Sequence, residues 1–166
     1  MSHPPISDTG ALFEFTDRFL ADAARGRVLL FGGVGGSPIG TQGDTWSYDG
    51  SAWTQLAATG PSARFGAAMT FDAQRGRAIL FGGRNGVEFS DTWEFDGVWR
   101  QVSTAAAPAA RYQGSLCYDL RNGRTTLFGG LIASTLTPVL GMSQLVPSAD
   151  PSWTRYGIGC NGSHGS

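Results

Sequence analysis

The pattern of hydrophobic and polar positions in the middle of the chain predicts a series of short strands. Ala78–Phe81 is a continuous apolar run, typical of a strand that is covered on both faces. Arg64–Asp72 before it carries small apolar residues that suit a crowded inner strand. Gly76 lies between them, where a bulged hairpin turn needs positive φ. After the run, Trp93 and Phe95 alternate with polar residues and predict a third strand.

A turn at Asp96–Gly97 and a run at Trp99–Val102 predict a fourth, outer strand. A meander of four strands cannot bury both of its faces alone. We therefore expect several such sheets to pack against one another.

The same pattern occurs three times. The phrases RGRVLLFGG, RGRAILFGG and RNGRTTLFGG end in double glycines whose first members are Gly32, Gly82 and Gly129, with spacings of 50 and 47 residues. The segments GDTWSYDGSAW and SDTWEFDGVW also match each other, as do PSARFGAAMTFDAQRGR and PAARYQGSLCYDLRNGR. Self-similarity at such a period indicates stacked supersecondary units, and four-stranded units arranged radially form a β-propeller.

These marks resemble the kelch repeat: Arg64 and Arg111 open the first strands, double glycines close the second, and a tryptophan opens the fourth. The resemblance covers residues 25–130 and is closest to bacterial propellers of the galactose oxidase central-domain kind. It implies an all-β fold of kelch-type β-propeller blades, each a four-stranded antiparallel sheet, in an incomplete propeller of about three blades. Kelch domains usually serve as binding platforms. Nothing here matches the copper ligands of galactose oxidase.

The repeat weakens at both ends of the chain. Asp17 and Arg18 fall where Ala67 and Ala68 lie in the second unit, and the third unit loses the pattern after Gly130, with Trp153 in the place of Trp99. The predicted organisation is a non-repeat segment at 1–13, repeats at 14–60, 61–107 and 108–156, and a Gly-rich tail at 157–166. Because propellers usually close with about four to eight blades, three hypotheses stay open: a fragment of a longer protein, a half-propeller that completes itself as a homodimer, and a stable capped arc.

Composition excludes several function classes. The net charge is −1, so no overall field attracts nucleic acid or acidic membranes, and we expect neither as a partner. All 12 basic residues are arginine, which excludes chemistry that depends on a lysine of this chain. No signal peptide or transmembrane segment is expected from the sequence. The compartment stays open, since relatives of this type are often exported.

Few residues suggest catalysis. His3 and His164 lie near the two ends, and no nucleophile motif or metal spacing is present, so we expect no enzyme, catalytic residue, metal or cofactor. Asp44 and Asp91 recur between units, as do the two arginines, which favours structural pairing because an active site is needed only once. Cys117 is expected to be a small buried hydrophobe, with a disulfide to Cys160 as the alternative.

The tryptophans of the repeated segments allow two interpretations: packing between sheets, or an aromatic platform that binds sugar. Their spacing is tied to the repeat, which favours packing between neighbouring sheets over a sugar-binding platform. They are Trp46, Trp53, Trp93 and Trp99.

We therefore expect a non-catalytic kelch-type binding or scaffolding module for a protein or glycan partner. The most irregular loops, Val34–Gly43 and Arg84–Phe89, lie on one face, and Arg84, Asn85 and Glu88 are the candidate binding residues. The alternative is the propeller portion of a secreted enzyme, galactose oxidase-like or sialidase-like, whose catalytic residues lie outside this chain. SYDGSAW resembles the Asp-box of sialidase-like propellers, with one residue fewer before the tryptophan.

Overall fold

The computed structural model describes residues 18–35, 40–57, 59–104, 106–132, 137–138, 142–146 and 152–156. These residues form an all-β fold without a helix. The described part of the chain accordingly holds no helix with the length and apolarity of a membrane span. The predicted end segments, 1–13 and 157–166, lie outside the described residues.

Three four-stranded antiparallel sheets follow one another along the chain, each with its strands in sequence order. The first sheet consists of β1 (Arg18–Asp22), β2 (Arg27–Gly35), β3 (Gly40–Tyr48) and β4 (Trp53–Ala57). The second sheet begins with β5 (Ala68–Asp72) and β6 (Arg77–Phe81). A small hairpin of β7 (Arg84–Asn85) and β8 (Val87–Glu88) then precedes β9 (Thr92–Phe95) and β10 (Trp99–Val102).

The third sheet repeats this order. It consists of β11 (Ser115–Asp119), β12 (Arg124–Phe128), the small hairpin of β13 (Leu131–Ile132) and β14 (Thr137–Pro138), β15 (Met142–Val146) and β16 (Ser152–Tyr156). Trp153 pairs with Leu145 on β15, as Trp99 pairs with Phe95 on β9. The expected substitution of Trp153 for Trp99 is therefore confirmed in register.

Two strand limits differ from the sequence prediction. The inner strand of the second unit begins at Ala68 rather than at Arg64, because the backbone of residues 64–66 bonds to neighbouring segments instead of to β6. The expected loop Val34–Gly43 is partly strand, since β2 continues to Gly35 and β3 begins at Gly40.

The first strands of the three sheets lie side by side, with β5 in contact with both β1 and β11. The sheets pack face to face around two apolar cores. The core between the first and second sheets contains Leu29, Phe31, Ala67, Ala78, Leu80, Phe95 and Trp99. The core between the second and third contains Ala68, Ile79, Phe81, Leu116, Leu127 and Leu145. Successive residues of β6 thus enter opposite cores, which confirms that this strand is covered on both faces.

Trp99 joins the second sheet to the first. It is 7% exposed, its ring lies 5.2 Å from the ring of Phe31, and its Nε1 donates a hydrogen bond to Thr45 Oγ1 at 2.8 Å. Trp46 is also 7% exposed, and Trp93 packs against the same core as Trp99. The reading as packing between neighbouring sheets is therefore confirmed for Trp93 and Trp99, whereas the pairing of Trp46 with Leu30 places it on the side of the first sheet that points away from the second.

The double glycines allow neighbouring units to approach each other. Gly82 has φ +67°, and a Cβ there would lie 2.5 Å from the carbonyl oxygen of Arg111. The next residue, Gly83, donates its N–H to that same carbonyl at 2.9 Å. Gly32 and Gly33 hold the carbonyl of Arg64 in the same way. Only glycine fits, because both the left-handed conformation and the close carbonyl exclude a side chain.

The prediction for Cys117 is wrong. Its thiol is free and exposed, because β11 turns it toward the side of the third sheet that faces away from the second. The other cysteine, Cys160, lies outside the described residues.

Candidate functional site

The antiparallel strands give each sheet two ends, which carry different connections. The loop face is the end at which the second strands finish, and it carries the hairpins β7–β8 and β13–β14 together with the residues that precede β5 and β11. The turn face is the opposite end, where tight turns follow Asp72, Asp96 and Asp119. Loops on a rigid sheet scaffold are where binding residues most often lie, so the loop face is the candidate site.

All three predicted binding residues lie in the hairpin β7–β8 of the loop face. Asn85 is exposed, and Arg84 Nε lies 3.2 Å from Glu88 Oε1 as an ion pair that is not aligned as a hydrogen bond. The side chains of Arg84 and Glu88 are 34% and 15% exposed. The hairpin turns at Gly86, whose φ is +76°.

Two aromatic residues extend the site, and our sequence analysis did not identify them. The rings of Phe65 and Tyr112 meet edge to face with centroids 6.1 Å apart, and the Arg84 guanidinium carbon lies 5.6 Å from the Tyr112 ring centroid. Backbone hydrogen bonds in both directions tie Phe65 to Arg84, and Tyr112 is tied to Leu131 in the same way. The sequence does contain a signal for these two residues, because an aromatic residue follows the repeated arginine in both units.

Gln113 stands beside Tyr112 in an unusual backbone conformation. Its φ is +58°, which makes it the single non-glycine residue with positive φ among the described residues. The equivalent residue of the second unit is Gly66, with φ +63°, and the Gln113 N–H donates to the Gly66 carbonyl at 2.7 Å. An exposed amide side chain is thus held in a left-handed conformation that costs about 1 kcal/mol.

A buried ion pair supports the loop face from below. Arg64 is 1% exposed and donates two hydrogen bonds to Asp91, from Nη1 at 2.5 Å and from Nη2 at 3.0 Å. Its Nη1 also donates to the Gly82 carbonyl, and its guanidinium lies over the Phe89 ring, 3.9 Å from the centroid. Asp91 accepts a further hydrogen bond from Trp93 Nε1 at 2.7 Å. The structural reading is therefore confirmed for Arg64 and Asp91.

The other recurrent residues also bond within the framework. Arg111 donates to the carbonyls of Ala109 and Gly129, and Asp44 accepts a hydrogen bond from Trp46 Nε1 at 2.6 Å. These contacts keep the strand ends in place at the loop face.

The pKa shifts of the carboxylates occur on the turn face. Burial of Asp72 favours its neutral form, but hydrogen bonds from the Arg75 backbone and side chain outweigh burial and lower the pKa of Asp72. Hydrogen bonds from the backbone of Ala52 and from Ser51 lower the pKa of Asp49 to about 2. The Asn122 side chain and the Arg121 backbone lower the pKa of Asp119. These acids stay ionised and act as turn formers.

Among the described residues, no three His, Cys, Asp or Glu side chains lie close enough together to hold a metal ion. His3 and His164 lie outside the described residues. The described part of the loop face presents aromatic rings, an arginine paired with Glu88 and exposed amide side chains.

Comparison of the chain with protein-family models and with curated proteins finds no match.

Proposed function

We propose that this chain forms kelch-type β-propeller blades and acts as a non-catalytic binding or scaffolding module for a protein or glycan partner. The observation that carries the proposal is the row of Phe65, Arg84, Tyr112 and Gln113 across the loop face of two neighbouring sheets. The propeller assignment is supported by the threefold repeat, the three meanders and the adjacent inner strands.

The chemistry of the row suits a polar, uncharged or weakly charged partner. Aromatic edges supply rigid contact area at a low cost in conformational entropy, and exposed amides add adaptable hydrogen bonds. The Arg84 charge is balanced by Glu88 at 3.2 Å, so the hairpin carries little net charge. Sugar rings and peptide side chains both match such a surface.

The test is to probe immobilised glycan and peptide libraries with the wild-type chain and three variants. Tyr112→Ala removes the central ring, Gln113→Gly removes the amide while relieving the backbone, and Val98→Ala alters an apolar side chain on the turn face that is 60% exposed. We expect Tyr112→Ala to weaken binding of any selected glycan or peptide roughly tenfold or more, because central aromatic contacts dominate interface energies. Gln113→Gly should weaken it as well, because it removes the hydrogen bonds of an exposed amide. Val98→Ala is expected to bind like the wild type.

Gln113→Gly is the decisive variant, because a loss of binding in a chain that has not lost stability cannot be ascribed to unfolding. Binding that survives both loop-face variants, or that is lost with Val98→Ala, would contradict the proposed site. The absence of any ligand in both libraries would contradict the proposed function.

A further inference from the structure

The two outer sheets each have one broad face on which no other described sheet packs. We call the side of the first sheet that points away from the second the first outward face; it carries Phe19, Leu30, Trp46, Tyr48 and Trp53. The corresponding side of the third sheet is the third outward face, with Cys117 and Phe128. The two interfaces within the chain show what normally covers such faces.

The third outward face lacks the cover that its equivalents have. Phe31 and Phe81 occupy the same repeat position as Phe128 and are 2% and 1% exposed, because the next sheet packs on them. Phe128 is 47% exposed. A Cβ added at Gly129 would have no atom within 4 Å. A Cβ added at Gly82 would lie 2.5 Å from the Arg111 carbonyl oxygen, which belongs to the following unit.

The exposed part of the first outward face consists of Phe19 and Trp53, because Leu30 and Trp46 on the same side are only 2% and 7% exposed. Trp53 occupies the repeat position of Trp99, which inserts against Phe31 and Thr45 of the preceding sheet. Trp53 is only partly buried, and its ring contacts are with its own sheet: Tyr48 at 5.1 Å and Phe19, itself 56% exposed, at 6.4 Å.

We propose that a second copy of this chain covers both faces, so that the first outward face of each copy packs on the third outward face of the other. Trp53 of one copy would then contact Phe128 of its partner copy, as Trp99 contacts Phe31 within the chain. Two such head-to-tail contacts related by a twofold axis close a ring of six sheets, within the usual range of about four to eight blades. The side chains named above are uncharged, and the charged residues on the third outward face, Asp119 and Arg124, lie opposite each other at its turn-face end.

This inference rests on the propeller part of the proposed function, but it is tested by mass and not by ligand binding, so the two can fail separately. Light scattering on the eluting chain should give twice the 17.5 kDa of one chain, with a cooperative melt on the same sample. A 17.5 kDa species at the highest soluble concentration would overturn the proposal.

Three variants define the interface. Trp53→Ala and Phe128→Ala should each raise the dimer dissociation constant about thirtyfold, as expected for a central aromatic contact. Leu120→Ala is the matched control, because this apolar side chain is 64% exposed but lies in a turn of the turn face. A dimer weakened by Trp53→Ala and not by Phe128→Ala would mean that like faces meet, and would overturn head-to-tail closure.

The reaction rate of the Cys117 thiol gives a second test, which does not depend on the Trp53→Ala and Phe128→Ala variants. Cys117 lies on the third outward face, where its equivalent Thr70 is 8% exposed beneath the third sheet. In a Cys160→Ser background, its reaction with a small thiol reagent should slow by about tenfold or more as the chain concentration rises into the range of dimer formation. A rate that does not depend on concentration in a sample that light scattering shows to be dimeric would overturn the proposed interface.

Discussion

At the scale of single residues, the repeated arginine connects neighbouring parts of the fold. The Arg64 backbone receives and donates hydrogen bonds to the first unit through Gly33 and Gln42, while its side chain bonds to Gly82 and Asp91 of its own unit. One residue therefore joins two units at the point where the loop face begins. Its burial at 1% exposure makes the charge dependent on these partners.

We expect Arg64→Met to destabilise the protein by about 3 kcal/mol, because it leaves Asp91 partly buried without its cation. The measurement is urea denaturation. The control is Arg100→Ala, which breaks an exposed pair with Asp96 and should cost less than about 0.5 kcal/mol. Equal losses in the two variants would contradict a special role for the buried pair.

Gln113 provides a second test at this scale. Gln113→Gly should increase the free energy of unfolding by about 0.5–1 kcal/mol, because glycine adopts the φ of +58° without strain. The reciprocal change, Gly66→Ala, should destabilise by a similar amount, since an added Cβ meets atoms no closer than 3.4 Å and only the conformation is strained. A lower free energy of unfolding for Gln113→Gly than for the wild type would contradict backbone strain at Gln113.

At the scale of elements, the hairpins of the turn face are stabilised by the same arrangement of hydrogen bonds. The aspartate that ends the first strand caps the following turn: Asp72 accepts from the N–H groups of Gln74 and Arg75, and Asp119 from those of Arg121 and Asn122. The turns also link the sheets, since Gln74 Nε2 donates to the Leu120 carbonyl at 3.3 Å. Asp72 is fully buried, so we expect its protonation to change the stability of the protein measurably.

The lowered pKa of Asp72 fixes the direction of the pH dependence. Because the folded-state pKa lies below the ordinary value of 3.8, the stabilisation from Asp72 is complete above about pH 4 and is lost as the pH falls through the folded-state pKa. We expect Asp72→Asn to melt at a lower temperature near neutral pH and to lose less stability on acidification than the wild type. Asp119→Asn, in the exposed equivalent turn, should show a smaller effect. Parallel melting curves of the wild type and Asp72→Asn across this pH range would contradict the assignment.

The double glycine allows a matched comparison of strain and steric contact. Gly82→Ala should cost at least about 3 kcal/mol, since alanine would strain the backbone at φ +67° and also meet the Arg111 carbonyl. Gly76→Ala has nearly the same φ, +66°, but no atom within 4 Å of the new Cβ, so it should cost only about 1–2 kcal/mol. Chemical denaturation of both variants measures the difference, and equal costs would contradict the close approach of the two units.

At the scale of the whole molecule, the second sheet is the centre of the structure. Its β6 is hydrogen-bonded to β5 and β9, and its side chains are divided between both cores. The outer strand β10 has exposed residues at Arg100 and Gln101, and the hairpin β7–β8 has only two-residue strands. Stability should therefore decrease from β6 outward.

Amide hydrogen exchange measures this gradient. We expect the amides of β6 to exchange about a hundredfold more slowly than those of β7–β8, with β10 between them, because β6 opens only when both cores open. Uniform exchange across the three elements would mean that the sheets unfold as one unit without a protected centre.

Most of the fold could be predicted from the sequence because its signals are local and repeated. The apolar run of β6, the glycine turns and the bounds of β10 follow from patterns within ten residues. Three aligned copies reinforce the first two, and two copies reinforce β10. The loop hairpin with Arg84, Asn85 and Glu88 was also placed correctly on one face, although its binding role stays a prediction.

The burial of individual side chains and the composition of the candidate site depended on how neighbouring sheets pack against each other. Trp53 and Trp99 occupy equivalent repeat positions, as do Phe128 and Phe81, and the local pattern is the same for each pair. Their burial differs because a neighbouring sheet covers one member and not the other. The exposure of Cys117 has the same cause, as does the meeting of Phe65, Arg84 and Tyr112 from two sheets. Local periodicity thus set the strands and turns, whereas burial and the candidate site were decided by packing between sheets, which depends on contacts between residues far apart in the chain.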